Sequence, residues 1–138
     1  MKFKKREEKL ISESEILNLE LEYGISLPED YKEKILEMNG FSSTVDLYFK
    51  PEEWDDEIEF FNVFSIKYGS STFEKYNTKD CLNDYPEGKI SIGRSRTGNF
   101  SMSVKKDDYG SIYVYYSDGE MHKLASSFSE FLEGLKEL

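Results

Sequence analysis

From Ser12 to Gly40 the apolar residues recur every three or four positions; beyond Gly40 they recur every second position. The first spacing is that of a helix face and the second that of a strand face, so the chain changes from helical to β character at Gly40. Ser12 with Glu15 three residues later is the signature of a capping box, each side chain covering the other's unpaired backbone donor. Ile16, Leu19, Leu21 and Tyr23 then give an apolar stripe, and Gly24 is a natural stop. Pro28 suits a first helical position, where its missing N–H costs nothing, and Glu29 and Asp30 complement the positive end of the dipole. Tyr31, Ile35 and Met38, widened by Leu36, predict a second helix ended by Asn39-Gly40. Residues 12–40 therefore read as a helical hairpin with a short extended connector.

Val45, Leu47 and Phe49 alternate and predict a strand, which Pro51 interrupts. Residues 63–66 read as a short strand, and Ser71 to Asp84 as a weak helix ending near Pro86. A β meander follows from Lys89, with alternation at Ile90 and Ile92, at Phe100, Met102 and Val104, and at Ile112, Val114 and Tyr116. Asp107 to Gly110 and Ser117-Asp118-Gly119 supply its turns, Asp-Gly being a strong hairpin signal. A last strand over Met121 to Leu124 leads to Ser127-x-x-Glu130, a second capping box, and to a helix bearing Phe128, Phe131, Leu132 and Leu135. The predicted fold class is α+β: an N-terminal helical hairpin, a central antiparallel sheet of about five to six strands and a C-terminal helix. Residues 1–138 read as one domain, without repeat or linker.

Composition sharpens this picture in a few places. Ten Phe, ten Tyr and one Trp predict a core built largely on rings, each burying roughly 150–250 Å². A formal charge of −10 disfavours direct binding to nucleic acid and suits either a basic protein partner or plain solubility. One cysteine, Cys81, permits no internal disulfide and suits a reducing compartment. The opening MKFKKREEKL lacks the apolar stretch of a signal peptide, and no run approaches ~18 apolar residues, so no membrane partner is expected and the cytoplasm is the expected location.

Candidate chemistry is sparse. His122, the sole histidine, falls in a predicted strand and reads as an edge or surface residue; Cys81 reads as a small packing residue. One His and one Cys do not make a zinc site of the usual kind, and no cofactor is implied. Gly93 to Gly98 superficially suggests a phosphate loop but lacks the Gly-Lys-Ser/Thr ending and a following helix, so it reads as a hairpin loop. No nucleophile–base signature is present, and the chain is expected not to be an enzyme. A hydrolase would need His122 beside a carboxylate in a cleft.

The segment PEEWDDEIEFF stands out, with Glu52, Glu53, Asp55, Asp56, Glu57 and Glu59 around Trp54. It reads either as a solvated loop whose Trp54 and Phe60 enter the core, or as a landing site in which carboxylates steer a basic partner and an aromatic anchors it. The two can coexist. Asp80 and Asp84 are further candidate contacts.

Taken in order, Gly24-x-x-Leu27-Pro28-x-x-Tyr31, Asn39-Gly40, the acidic Trp segment and Pro86-x-Gly88-x-Ile90-x-Ile92-Gly93 resemble the SUKH superfamily, the group of the yeast cell-wall-assembly regulator. The tail Leu124-Ala125-x-Ser127-Phe128-x-x-Phe131-Leu132 is similar too, so the likeness covers roughly residues 12–135. The chain departs from the pattern in having Gly40-Phe41 for the usual two glycines, Arg94-Ser95-Arg96-Thr97 for a Gly/Asp-rich loop, and Tyr115-Tyr116 for a frequent Trp. The resemblance implies an immunity protein that binds and neutralises a toxin domain, often a nuclease, of a contact-dependent or polymorphic toxin system, and the −10 charge adds the expectation of an acidic surface occluding a basic toxin groove. It fixes no partner residues position by position and leaves the oligomeric state, monomer or weak dimer, open. The alternative is an intracellular regulatory or scaffold module that binds a host protein.

Overall fold

The computed structural model describes residues 2–6, 9–84 and 86–138. The elements run β1 (Phe3–Lys5), α1 (Glu13–Tyr23), α2 (Glu29–Glu37), β2 (Phe41–Phe49), β3 (Ile58–Val63), α3 (Phe73–Tyr76), β4 (Lys89–Ser95), β5 (Gly98–Ser103), β6 (Ile112–Tyr116), β7 (Met121–Ala125) and α4 (Phe128–Gly134). The strands form one antiparallel sheet in chain order, β1 to β7. The expected helical hairpin, meander and final helix are all present, but the sheet has seven strands where about five to six were expected. The additional β1 pairs Phe3 with Ser43; at three residues it is too short to show an alternation in sequence. Strand β3 occupies Ile58–Val63 instead of 63–66, because Ile58, Phe60 and Val63 turn inward from a segment whose acids suggested loop.

Two apolar residues assigned to buried faces point outward. Leu21 is 73% exposed, since Ile16, Leu19 and Tyr23 alone line the inner face of α1. Val45 is 42% exposed because the β2–β3 ladder slips between Ser42 and Leu47. The predicted helix over 71–84 shrinks to Phe73–Tyr76. The Asn77 amide accepts the Ser91 N–H (2.7 Å) and donates to the Ser91 carbonyl (2.8 Å), tying the chain to β4 in an extended conformation.

The caps behave largely as their residue types require. The box at Ser12 forms in both directions, with Glu15 N–H to Ser12 Oγ at 3.2 Å and Ser12 N–H to Glu15 Oε1 at 3.0 Å. Gly24 closes α1 in the left-handed region at φ 65°. Pro28 caps α2 rather than opening it. At Ser127 the hydroxyl accepts the Glu130 N–H at 3.0 Å. Helix α2 stops at Glu37, and Asn39 acts as a buried connector: its Nδ2 donates to the Lys9 and Ile66 carbonyls (2.8 and 2.9 Å), and its Oδ1 accepts the Ile66 N–H (2.7 Å).

A single apolar cluster joins α1, α2 and α4 to the sheet. At its centre Phe131 of α4 meets Phe100, Phe49 and Phe60 at ring separations of 4.8, 5.6 and 6.4 Å. The C-terminal segment closes one end, where Tyr48 and Lys136 exchange backbone hydrogen bonds of 2.8 and 2.9 Å.

Glu15 also links α1 to the loop after β3. Its carboxylate accepts from Lys67 Nζ (2.8 Å) and the Tyr68 hydroxyl (2.7 Å), and these bonds, Lys67 foremost, lower its pKa from 4.5 to about 2. A depressed carboxylate stabilises the fold fully above its unfolded pKa and loses that contribution as pH falls through the folded value. Glu15→Gln is therefore expected to melt below the wild type at neutral pH, with the gap closing between about pH 4.5 and 2. Melting curves of both proteins across that range check it; a gap independent of pH would remove ionised Glu15 from the account.

Candidate functional site

The connector between β2 and β3 is held at three points. Pro51 and Ile58 are buried at its ends, Trp54 N–H closes a turn onto the Pro51 carbonyl at 3.2 Å, and the half-buried Trp54 ring packs on the core. The same ring meets His122 of β7 edge-on, with centroids 4.7 Å apart. With Trp54 fixed inward, Glu52, Glu53, Asp55, Asp56 and Glu57 are all exposed. The loop is thus a tethered arc presenting five carboxylates.

Between this arc, β7 and α4 lies an open groove of about 640 Å³. Lys50, Glu52, Glu53 and Trp54 form one wall; His122 to Ser126 form the other, with Glu130 and Gly134 from α4 alongside. Gly134 is required by packing, because a Cβ there would lie 2.5 Å from the Phe49 ring. Carboxylates outnumber the cations Lys50 and Lys123 along this rim once Asp55, Asp56 and Glu57 are included, so the potential favours a basic ligand.

The remaining candidates lie elsewhere. Glu59 is on β3, mostly buried, with its carboxylate 3.0 Å from the Arg96 guanidinium. Asp80 and Asp84 belong to the turn after α3: Asp80 accepts from the Asn83 amide at 2.9 Å and Asp84 from the Thr78 hydroxyl at 2.6 Å. Asp84 borders a separate hollow of about 240 Å³ with Ser91 and Tyr115. The structure therefore gathers Glu52, Glu53, Trp54, Asp55, Asp56 and Glu57 and leaves Glu59, Asp80 and Asp84 apart.

His122 does stand beside a carboxylate, with Nε2 3.5 Å from Glu120 Oε2, two residues away on an exposed strand end. The serine of the same groove wall, Ser126, lies just past the end of β7, and no hydrogen bond joins it to His122 among the described residues. The geometry of His122 is that of a clasp for Trp54. Nothing in the sequence joined these two residues, and the pairing comes entirely from the curl of the sheet. Cys81 is buried, and burial pushes its thiol pKa up, away from a reactive thiolate.

A family model described as SMI1 / KNR4 family (SUKH-1) matches residues 10–134, nearly the whole chain. The chain belongs to the SUKH-1 family. That family includes toxin immunity proteins, and its members are generally binding modules. The SUKH-1 chain is also similar to an uncharacterised protein, YnaB, of Bacillus subtilis (strain 168), with 30% identity over 107 residues. The match takes in 78% of this chain and 60% of that relative's length. No solved structure matches it significantly. Among the described residues, no helix is long and apolar enough to cross a membrane.

Proposed function

We propose that this SUKH-1 chain is a cytoplasmic immunity protein that binds and neutralises a toxin domain of a contact-dependent or polymorphic toxin system, by stoichiometric occlusion. The observation that carries the reading is the tethered acidic arc beside an open groove. Trp54 fixes the arc in place, so its carboxylates meet a partner with little ordering left to do. A nuclease toxin must hold phosphates in a positive groove, and a −10 protein with a preorganised acidic arc complements such a surface.

Rescue tests the function. The C-terminal domain encoded by the neighbouring upstream gene is expressed in a test bacterium with and without this protein. Survival only in its presence is the expected result; death in both arms would pass the groove to a host protein partner. The contact surface has its own prediction. Reversing Asp55, Asp56 and Glu57 to Lys is expected to slow association with that domain roughly tenfold or more at low salt, with the difference shrinking as salt is added. The three side chains are exposed, so the melting temperature should hardly move. Unchanged association kinetics would take the arc out of the interface.

A further inference from the structure

Helix α1 carries more apolar residues than its inner face can use. Ile16, Leu19 and Tyr23 are buried, whereas Leu17 and Leu21, one turn apart on the opposite side, remain 55% and 73% exposed. A shallow hollow lies on each side of Leu17. One, about 350 Å³, runs between α1 and α2 past Leu36; the other, about 340 Å³, continues past Leu21 to Gly24 and Ile25. Sharing Leu17 and Glu20, the two hollows flank about 16 Å of α1 and its cap, from Glu13 to Gly24 at helical rise. Scattered exposed leucines are ordinary, but these two stand one turn apart and border adjoining hollows that share Leu17 and Glu20.

The rim of these hollows decides what fits them. Glu13 and Glu33 are exposed and form no ion pair among the described residues. The one cation on the rim, Lys32, is already engaged by Glu29 at 3.0 Å and Glu20 at 3.8 Å. A second copy of this chain seated isologously would set acid against acid, on molecules that each carry −10. A three-turn helix with an apolar row flanked by Lys or Arg matches the length, the leucines and the charge together.

We propose that the outer ridge of α1 is a docking surface for a basic amphipathic helix of a partner protein, separate from the groove beside Trp54. Leu17 and Leu21 are the anchors, and Glu13 and Glu33 set the charge preference.

The test uses a labelled 14-residue synthetic peptide, with leucines at helical spacing and lysines elsewhere, titrated into the full chain. A permuted peptide of the same composition, without an apolar face, is the control. The chain is compared with its Leu17→Gln/Leu21→Gln variant, which keeps every charge and changes only exposed positions. The expected result is saturable binding that falls roughly tenfold or more for the double variant and for the permuted peptide. Asp55, Asp56 and Glu57 reversed to Lys should leave apolar-face discrimination intact, separating this surface from the acidic arc. No binding, or equal binding by the double variant or the permuted peptide, would overturn the proposal, since charge alone would then explain any attraction. So would a dimer in sedimentation that the double variant lacks, because a second copy would then be the occupant.

Discussion

Asn39→Ala is expected to lower the melting temperature by roughly 10 °C or more while leaving the surface unchanged. The amide is fully buried and makes three hydrogen bonds, two to the Ile66 backbone and one to the Lys9 carbonyl. Truncation strands the buried N–H and carbonyl of Ile66 and removes the donor to the part-buried Lys9 carbonyl, and each unsatisfied buried group costs about 1–3 kcal/mol. The combined loss is about 3–5 kcal/mol, and at this chain length each kcal/mol shifts the melting point by roughly 3–4 °C. The site also has a local readout. Ile66 should lose amide-exchange protection beyond what the global destabilisation explains, because its N–H partner is gone. A loss below about 1 kcal/mol with Ile66 still protected would mean that the backbone finds another partner and Asn39 is no connector.

Phe131→Ala should destabilise by a similar amount through a different mechanism. Phe131 is fully buried and lies against three phenylalanine rings on three separate strands of the sheet, Phe49 of β2, Phe60 of β3 and Phe100 of β5. Removing it forfeits transfer free energy and leaves a cavity between rigid neighbours, a change that costs about 3–5 kcal/mol. Phe131→Leu keeps most of the volume and should recover the greater part of that loss. Urea unfolding of the pair checks it; equal losses for the two variants would show that ring shape, rather than filled volume, holds α4 on the sheet.

These two residues show where the sequence was readable. Phe131 sits in an apolar stripe behind a capping serine, so its burial follows from local spacing alone. Asn39 was legible as a helix stop, yet its three partners lie about thirty residues away on both sides and no local pattern announces them. The same division holds at the candidate site. The acidic run around Trp54 is plain in the sequence, as is the meander. That His122 receives the Trp54 ring, and that Glu59 turns away into a strand to meet Arg96, depends on the sheet's curvature and on the β3 register. Leu21 failed for a more instructive reason. Helical spacing assigns apolar residues to a face, and α1 has enough of them to line two faces, of which the core takes one.

The strictly sequential order of the strands bears on how quickly the molecule becomes usable. Each strand pairs with its neighbour in the chain, and from β2 to β3 and from β4 to β7 the loops to be closed are short and their entropic cost is small. The turns from β4 to β7 can zip one after another without waiting for a distant segment. Three pairings need longer closures: Val63 with Gly93, which joins β3 to β4, and Phe3 with Ser43 and Tyr48 with Lys136, which attach short segments to strand β2. The two on β2 add short segments to that strand, whereas the β3–β4 closure joins the first three strands to the β4–β7 meander. The acidic arc between β2 and β3 therefore reaches its final position only once β7 is in place, because its Trp54 anchor rests on His122.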